Sequence, residues 1–224
     1  HLREYSDSLV SLVNELGKDN KDFEKIKAKY DFDFIARDLP KLISSCEEGA
    51  HRTKEIVVGL RNFSRASDKD DKKFSVVDCL NSSLELLKSA IKKGEVKIEK
   101  SYDEFIPLVQ GNPNQVSQVF MNILSNAFQA LEGGGLVSIV VKYDKQKKMV
   151  IAKVSDNGVG INKDDMSKIF DPFFTTKDIG KGTGLGLSIS YGIIQSHGGD
   201  IKVDSQANKG TTFEISLPSI NETP

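Results

Sequence analysis

The chain has 224 residues, 38% of them apolar and 28% charged, the balance of a globular chain with room for one fair-sized domain and a smaller one. Its 31 basic and 32 acidic side chains leave a net charge of -1, which argues against a nucleic-acid or anionic-lipid partner held by broad electrostatic attraction. No apolar run is long enough to cross a bilayer, so this stretch is expected to make no membrane contact. Cys46 and Cys79 have no second Cys or His at metal-ligand spacing, which points to free thiols in a cytoplasmic setting.

Residues 1–66 read as helical. Leu2, Tyr5, Leu9, Leu12 and Leu16 alternate spacings of three and four, the seam of a packed helix. Gly17 ends that pattern, and the charged stretch Lys18 to Lys29 reads as a loop or frayed end. A second helix is predicted along Leu39, Leu42, Cys46, Gly49, Thr53, Ile56, Leu60 and Phe63, with Pro40 near its start or marking a kink. Two such stripes are best buried as an α-helical hairpin that pairs with a second copy, so a homodimer is expected. The chain opens at His1 within the first pattern and reads as an excerpt of a longer protein.

A polar linker, 67–73, is expected to separate this from a mixed region, 74–218, followed by a short tail, 219–224. Helices are predicted at Val76 to Lys92, Gln115 to Leu131 and Leu185 to His197. Strands are predicted at Val96 to Ser101, Val137 to Tyr143, Met149 to Ser155, Ile201 to Ser205 and Thr211 to Leu217. That order implies an open sheet covered on one face by helices, a two-layer α/β sandwich.

Four motifs carry chemistry. Asn122 and Asn126 sit four apart on one helix and project from the same face. Each costs about half a kcal/mol against alanine in a helix interior. A neutral amide oxygen suits Mg²⁺, whose other positions water and phosphate can fill; two solvated amides are the plainer reading. Asp156-Asn157-Gly158-Val159-Gly160 follows a strand. A carboxylate there can accept from an exocyclic amine, and the glycines admit a flat ring; an ordinary Asn-Gly turn is the alternative.

Gly180-Lys181-Gly182-Thr183-Gly184-Leu185-Gly186-Leu187 opens a helix and offers successive backbone N–H groups to phosphate. It is not a Walker loop, because Thr175 stands where that motif needs its first glycine. Between the glycine motifs lies Phe170-Asp171-Pro172-Phe173-Phe174-Thr175-Thr176-Lys177. It reads as an apolar hinge for a lid, about residues 174–183, on which Lys177 and Lys181 could meet phosphate charge.

The series NxxxNA, DNGVGI, FDPFFTTK and GTGLGLSI resembles the N, G1, F and G2 boxes of sensor histidine kinases, and HGGDIKVDS with GTTFEISLP matches that family's closing hairpin. The resemblance covers 74–218 closely; the helical stretch around EGAHRTKEIVVGLRNFSR resembles the family's dimerisation domain with fewer motifs. It implies a Bergerat-type ATP-binding fold that takes ATP and Mg²⁺, transfers the γ-phosphoryl group to a histidine, and passes it to a response regulator receiver domain.

By the same resemblance Asn126 ligates the metal, with Asn122 beside metal and phosphates. Asp156 contacts the adenine amine, and Gly158 and Gly160 shape the base pocket. Phe170 and Phe173 anchor the lid, and Gly182, Gly184 and Gly186 cradle the phosphates. Ile161, Thr176, Thr183, Leu185, Leu187 and Thr211 are counted with them as cofactor-binding positions, and Asn122, Lys177 and Lys181 as catalytic ones. The family's acceptor pattern, His with an acidic residue next and a proline four on, is absent from His1, His51 and His197. The acceptor is therefore expected upstream, and the three histidines read as structural or surface groups. Two other readings stay open: a gyrase-type ATPase switch, and a dimerisation scaffold with a relic pocket.

Overall fold

The computed structural model describes residues 2–17, 22–64, 72–131, 133–177 and 182–220. The chain divides into two compact units, His1–Val57 and Val58–Pro224.

The first unit holds α1 (Leu2–Leu16), α2 (Phe23–Lys29) and most of α3 (Phe32–Ser64). Two expectations are corrected here. The stretch from Lys18 to Lys29, read as a loop or frayed end, contains α2. Its charges are organised: Lys27 reaches the Asp33 carboxylate at 3.0 Å and lies 5.5 and 5.7 Å from the ring centres of Phe23 and Phe32. Gly17 leaves room for Phe23, because a β-carbon there would sit 2.2 Å from its ring. The second helix begins at Phe32, seven residues before the predicted start, so Pro40 lies inside α3. Backbone bonds from Phe34 and Ile35 to the Asp31 carbonyl start that helix. Tyr5, Leu9, Phe34 and Leu42 are exposed on these helices.

The second unit opens with β1 (Lys72–Phe74), α4 (Val76–Leu86) and α5 (Lys88–Lys93). β1 takes in the last two residues of the stretch expected to be linker. The single helix expected at 76–92 breaks at Leu87, where the α4 C-cap leaves helical geometry. Then come β2 (Val96–Tyr102), β3 (Val109–Gly111), α6 (Pro113–Ala130), β4 (Gly135–Asp144), β5 (Met149–Asp156), α7 (Gly186–Ser196), β6 (Asp200–Gln206) and β7 (Gly210–Pro218). The two shortest strands, β1 and β3, were not predicted; they pair antiparallel as a separate ribbon. In the expected tail, Ser219 bridges antiparallel to Val109, with the Ile220 N–H donating to the Leu108 carbonyl and the Ser219 N–H to the Lys148 carbonyl.

The main sheet runs β2-β4-β5-β7-β6. β2 and β4 are parallel, and the other neighbours are antiparallel. Alternation decides which face is covered. Val137, Ile139 and Val141 of β4, Val150, Ala152 and Val154 of β5, and Phe213, Ile215 and Leu217 of β7 are buried. Residues between them turn to the other face, where Lys153 pairs with Glu214 at 2.7 Å across the register. One face is thus buried under helices and one is wet. The result is the two-layer α/β sandwich expected.

α6 is the central helix of the covering layer, packed on α4 and α7 and on the sheet. Val116, Val119, Phe120, Ile123, Leu124 and Ala127 line its buried stripe. Asn112 caps it, its Oδ1 accepting from the N–H groups of Asn114 and Gln115, and Pro113 fills the first turn, where a missing N–H costs nothing. No side chain of α6 is charged. Among the described residues no helix is long and apolar enough to cross a membrane.

Candidate functional site

Three residues of α6, each four apart, organise the site: Asn122, Asn126 and Ala130. They lie on one stripe spanning about 12 Å of helix. Each meets a different loop.

Asn122 meets the start of α7. Its Nδ2 donates to the Gly186 carbonyl at 3.0 Å and to Ser190 Oγ at 3.1 Å. Only the nitrogen end can face a carbonyl, so the amide orientation is fixed and Oδ1 is the atom left for a ligand. Ser190 is fully buried and also donates to Gly186 O at 2.8 Å.

Asn126 meets Lys177. Lys177 Nζ donates to Asn126 Oδ1 at 3.2 Å and to Gln129 Oε1 one turn further along α6. The residue as a whole is exposed, but its ammonium end is drawn in, and that burial holds the lysine below its ordinary range. Asn126 Oδ1 therefore already receives a cation. A hard divalent ion suits the same neutral oxygen, because magnesium keeps water and phosphate in most of its shell. Among the described residues no cluster of His, Cys, Asp or Glu could hold a metal by itself.

Ala130 meets the loop after β5. Its carbonyl accepts from Val159 N–H at 3.2 Å, and a β-carbon on Gly158 would lie 2.4 Å from that same oxygen. Gly160 has φ +67, and a β-carbon there would sit 2.1 Å from the Gln206 carbonyl. These contacts require glycine. Asp156 ends β5 opposite Thr211 of β7. Its Oδ1 accepts from Gly158 N–H at 2.9 Å. Burial raises its carboxyl above the ordinary value, against the lowering effect of bonds from the Gly158 and Thr211 backbone. Ile161 N–H donates to Ser205 Oγ, which lies 2.9 Å from Thr211 Oγ1. Thr211 is buried.

The glycine strip before α7 is tied to the phenylalanine segment through its backbone. Phe173 N–H donates to the Gly184 carbonyl at 3.0 Å, and both residues are left-handed, with φ +69 and +66. A β-carbon on Gly184 would lie 2.4 Å from the Phe173 carbonyl carbon. The ring of Phe173 is exposed, and its contact with Gly184 runs through the main chain. Phe170 packs by its ring, half-buried and 5.4 Å from Tyr191. Gly182 lies beside Thr175 and Lys177. Leu185 N–H reaches Thr183 Oγ1 at 3.4 Å, Leu185 is buried and Leu187 packs on the core. Leu185, at the N-cap of α7, provides no side-chain cap, so the first N–H groups of that helix keep capacity for an anion. Thr176 is exposed. Lys181, with residues 178–180, lies outside the described residues.

Residues 111–221 match the family model described as histidine kinase-, DNA gyrase B-, and HSP90-like ATPase. The chain is 37% identical over 143 residues to sporulation kinase E of Bacillus subtilis (strain 168), and 37% identical over 194 residues to sensor kinase CckA of Brucella abortus (strain 2308). Those stretches are 64% and 80% of this chain but 19% and 20% of the relatives, so the chain spans about a fifth of their length. The catalytic domain of histidine kinase ThkA, in a nucleotide-free form, superposes with TM-score 0.60 at 30% identity, covering 67% of this chain and 96% of that one. The chain carries the ATP-binding catalytic domain of a sensor histidine kinase. ThkA in complex with response regulator protein TrrA shares the fold at TM-score 0.61 and 23% identity, over 99% of this chain and 60% of that one.

Several residues of this kinase domain had no signal as site groups. Ser190 is visible only as a hydroxyl on a buried helix face, four after Gly186. Ser205 lies on a separate hairpin from the loop it supports. Gln129 stands out only as an amide one turn beyond Asn126. Asn157, inside the DNGVG motif, instead accepts Leu136 N–H at 2.8 Å and closes the start of β4.

Proposed function

We propose that this domain binds ATP with Mg²⁺ and, in the whole protein, transfers the γ-phosphoryl group to a histidine for relay to a response regulator aspartate. The observation that carries the reading is Asn122. The gyrase-type and MutL-type ATPases that share this fold carry a glutamate there as general base for water, and an amide accepts no such proton. With its nitrogen committed to Gly186 and Ser190, Asn122 offers an oxygen as ligand. Water is left without a base at position 122, so ATP should persist until an imidazole is presented in line.

Each proposed role follows from position. Asn126 and Asn122 would hold the metal, which would supply positive charge against the phosphates. Asp156 Oδ2 accepts from the adenine amine while Oδ1 stays with Gly158. The backbone between Gly182 and Leu187 receives phosphate oxygens at the α7 N-terminus. Lys177 and Lys181 add cationic charge. The helices of residues 1–66 form a dimerisation element, and exposed Tyr5, Leu9, Phe34 and Leu42 fit a face that a second copy covers. Cys46 and Cys79 are both free, which fits a cytoplasmic setting.

The test is phosphotransfer in trans. The chain is mixed with γ-labelled ATP, Mg²⁺ and a dimerisation domain bearing the acceptor histidine. Acid-labile label on that domain, with little phosphate release in its absence, is expected. Steady hydrolysis without an acceptor would favour the ATPase switch, and no nucleotide binding would favour the scaffold.

A further inference from the structure

We propose that Asn126 and Gln129 form an ammonium seat that holds Lys177 in the nucleotide-free domain, and that a metal–nucleotide complex binds by taking Asn126 Oδ1 from this lysine. The proposal rests on the functional reading above and adds a competition to it.

The seat is built from one face of α6. Asn126 and Gln129 are three apart, hence neighbours on the helix surface. Both turn an oxygen to Lys177 Nζ. Gln129 is orientated from behind, because its Nε2 reaches back to Ser125 Oγ at 3.5 Å and so leaves Oε1 to face the lysine. The other end of the contact is also shaped. Lys177 N–H donates to Thr175 Oγ1 at 3.2 Å, which tightens the turn that presents the side chain. Gly182 comes in alongside, where a β-carbon would sit 2.9 Å from Thr175 Oγ1 and 3.2 Å from Lys177 Cδ. A larger residue at 182 would press on the docked lysine.

The partners are neutral. No carboxylate among the described residues pairs with Lys177, and burial of its ammonium end opposes its charge. Two amide dipoles only part-compensate that desolvation. The seat is thus strong enough to order the side chain and weak enough to lose it. A triphosphate offers full negative charge to the ammonium, and the metal offers a divalent charge to Asn126 Oδ1. Both exchanges run toward stronger pairing. Lys177 therefore does two jobs in sequence: it keeps the metal-binding oxygen occupied, then moves to phosphate.

Competition of this kind lowers apparent affinity by the fraction of molecules with the seat open. Emptying it selectively should tighten binding of a metal–nucleotide complex. The experiment uses the full chain, Gln129→Leu and Lys177→Met, with ADP as probe. Gln129 is exposed, so its substitution spares the core. Hydrogen exchange of amides 174–177 is followed without nucleotide, and ADP affinity is measured by calorimetry with Mg²⁺ and with EDTA. Gln129→Leu is expected to speed exchange at least about threefold, and to tighten Mg·ADP about two- to fivefold with a smaller change in EDTA. Lys177→Met is expected to speed exchange in the same way.

Unchanged exchange in both variants would overturn the seat. Weaker Mg·ADP binding by Gln129→Leu, or equal gains with and without metal, would overturn the competition at Asn126. A wild-type chain that binds no nucleotide would sink the functional reading and the displacement with it, while the exchange measurement would still report on the seat.

Discussion

His197 clasps Asn112: its Nε2 accepts the Asn112 N–H at 3.0 Å, while Nδ1 donates to the Ile193 carbonyl at 2.7 Å. Asn112 caps α6 and His197 ends α7, so one ring joins the two helices that hold the proposed nucleotide-binding residues, at the ends remote from Asn122 and Gly186. The acceptor at Nε2 and the donor at Nδ1 define a neutral ring in one tautomer. Gly111 makes the approach possible, since a β-carbon there would lie 2.2 Å from His197 Cδ2.

His197→Phe should therefore leave the Asn112 N–H without its partner, while the Ile193 carbonyl keeps Ser196 Oγ and the N–H of residue 197, and cost about 1–2 kcal/mol, read as a lower urea midpoint. Gly111→Ala should cost at least as much, through the clash and through its φ of +142. In the double variant Gly111→Ala/His197→Ala the steric part should be relieved, so the losses of the single variants Gly111→Ala and His197→Ala should sum to more than the loss measured for the double.

Asp156→Asn separates recognition from stability. Gly158 N–H holds the oxygen at one end of the side chain, so the amide would turn its NH₂ toward the base amine, donor against donor. ADP affinity should fall at least about tenfold, roughly 1.4 kcal/mol, by calorimetry. Stability should move the other way. Burial raises this carboxyl above its ordinary value, so the native state keeps the proton to higher pH than the unfolded chain. The native state is penalised once the group ionises: the penalty is absent below the unfolded pKa and grows as pH rises through the folded one. The variant should be the more stable at pH 7, and the gap should close on acidification into the carboxylate range.

Asn126→Leu should abolish the advantage that Mg²⁺ gives to nucleotide binding. In the wild type, chelation with EDTA should weaken ADP binding at least about tenfold; in the variant the two affinities should converge. A variant that keeps the full metal dependence would move the metal to other residues.

Gly160→Ala should destabilise the domain by about 2 kcal/mol or more, because the backbone is left-handed there and the clash is with the Gln206 main chain, which cannot swing aside. The loss should appear in thermal melts with or without nucleotide, which marks it as a folding defect.

Much of the candidate site was legible because its groups are local in sequence. Asn122 and Asn126 declare themselves by spacing on an apolar helix, and Gly158, Gly160 and Gly184 by loops whose backbone contacts exclude a side chain. The sheet was legible from alternation along β4, β5 and β7. What escaped depends on pairing at a distance or on short elements. β1 and β3 have three residues each and no period to read. α2 was hidden by charge, since Lys27 acts through rings and a carboxylate that only the turn into α3 brings together. Pro40 sits well inside a helix that its neighbours continue across. Lys177 lies 51 residues from Asn126, and its docking on Gln129 needed the fold.

The absence of any charged side chain from α6 leaves its own contribution to the candidate pocket to neutral amides. A polyanion arriving there would meet no carboxylate repulsion from the helix, and the positive charge on that wall is brought by a residue from elsewhere, Lys177, seated on Asn126 and Gln129. Charge on this face is thus carried by a group that can leave it.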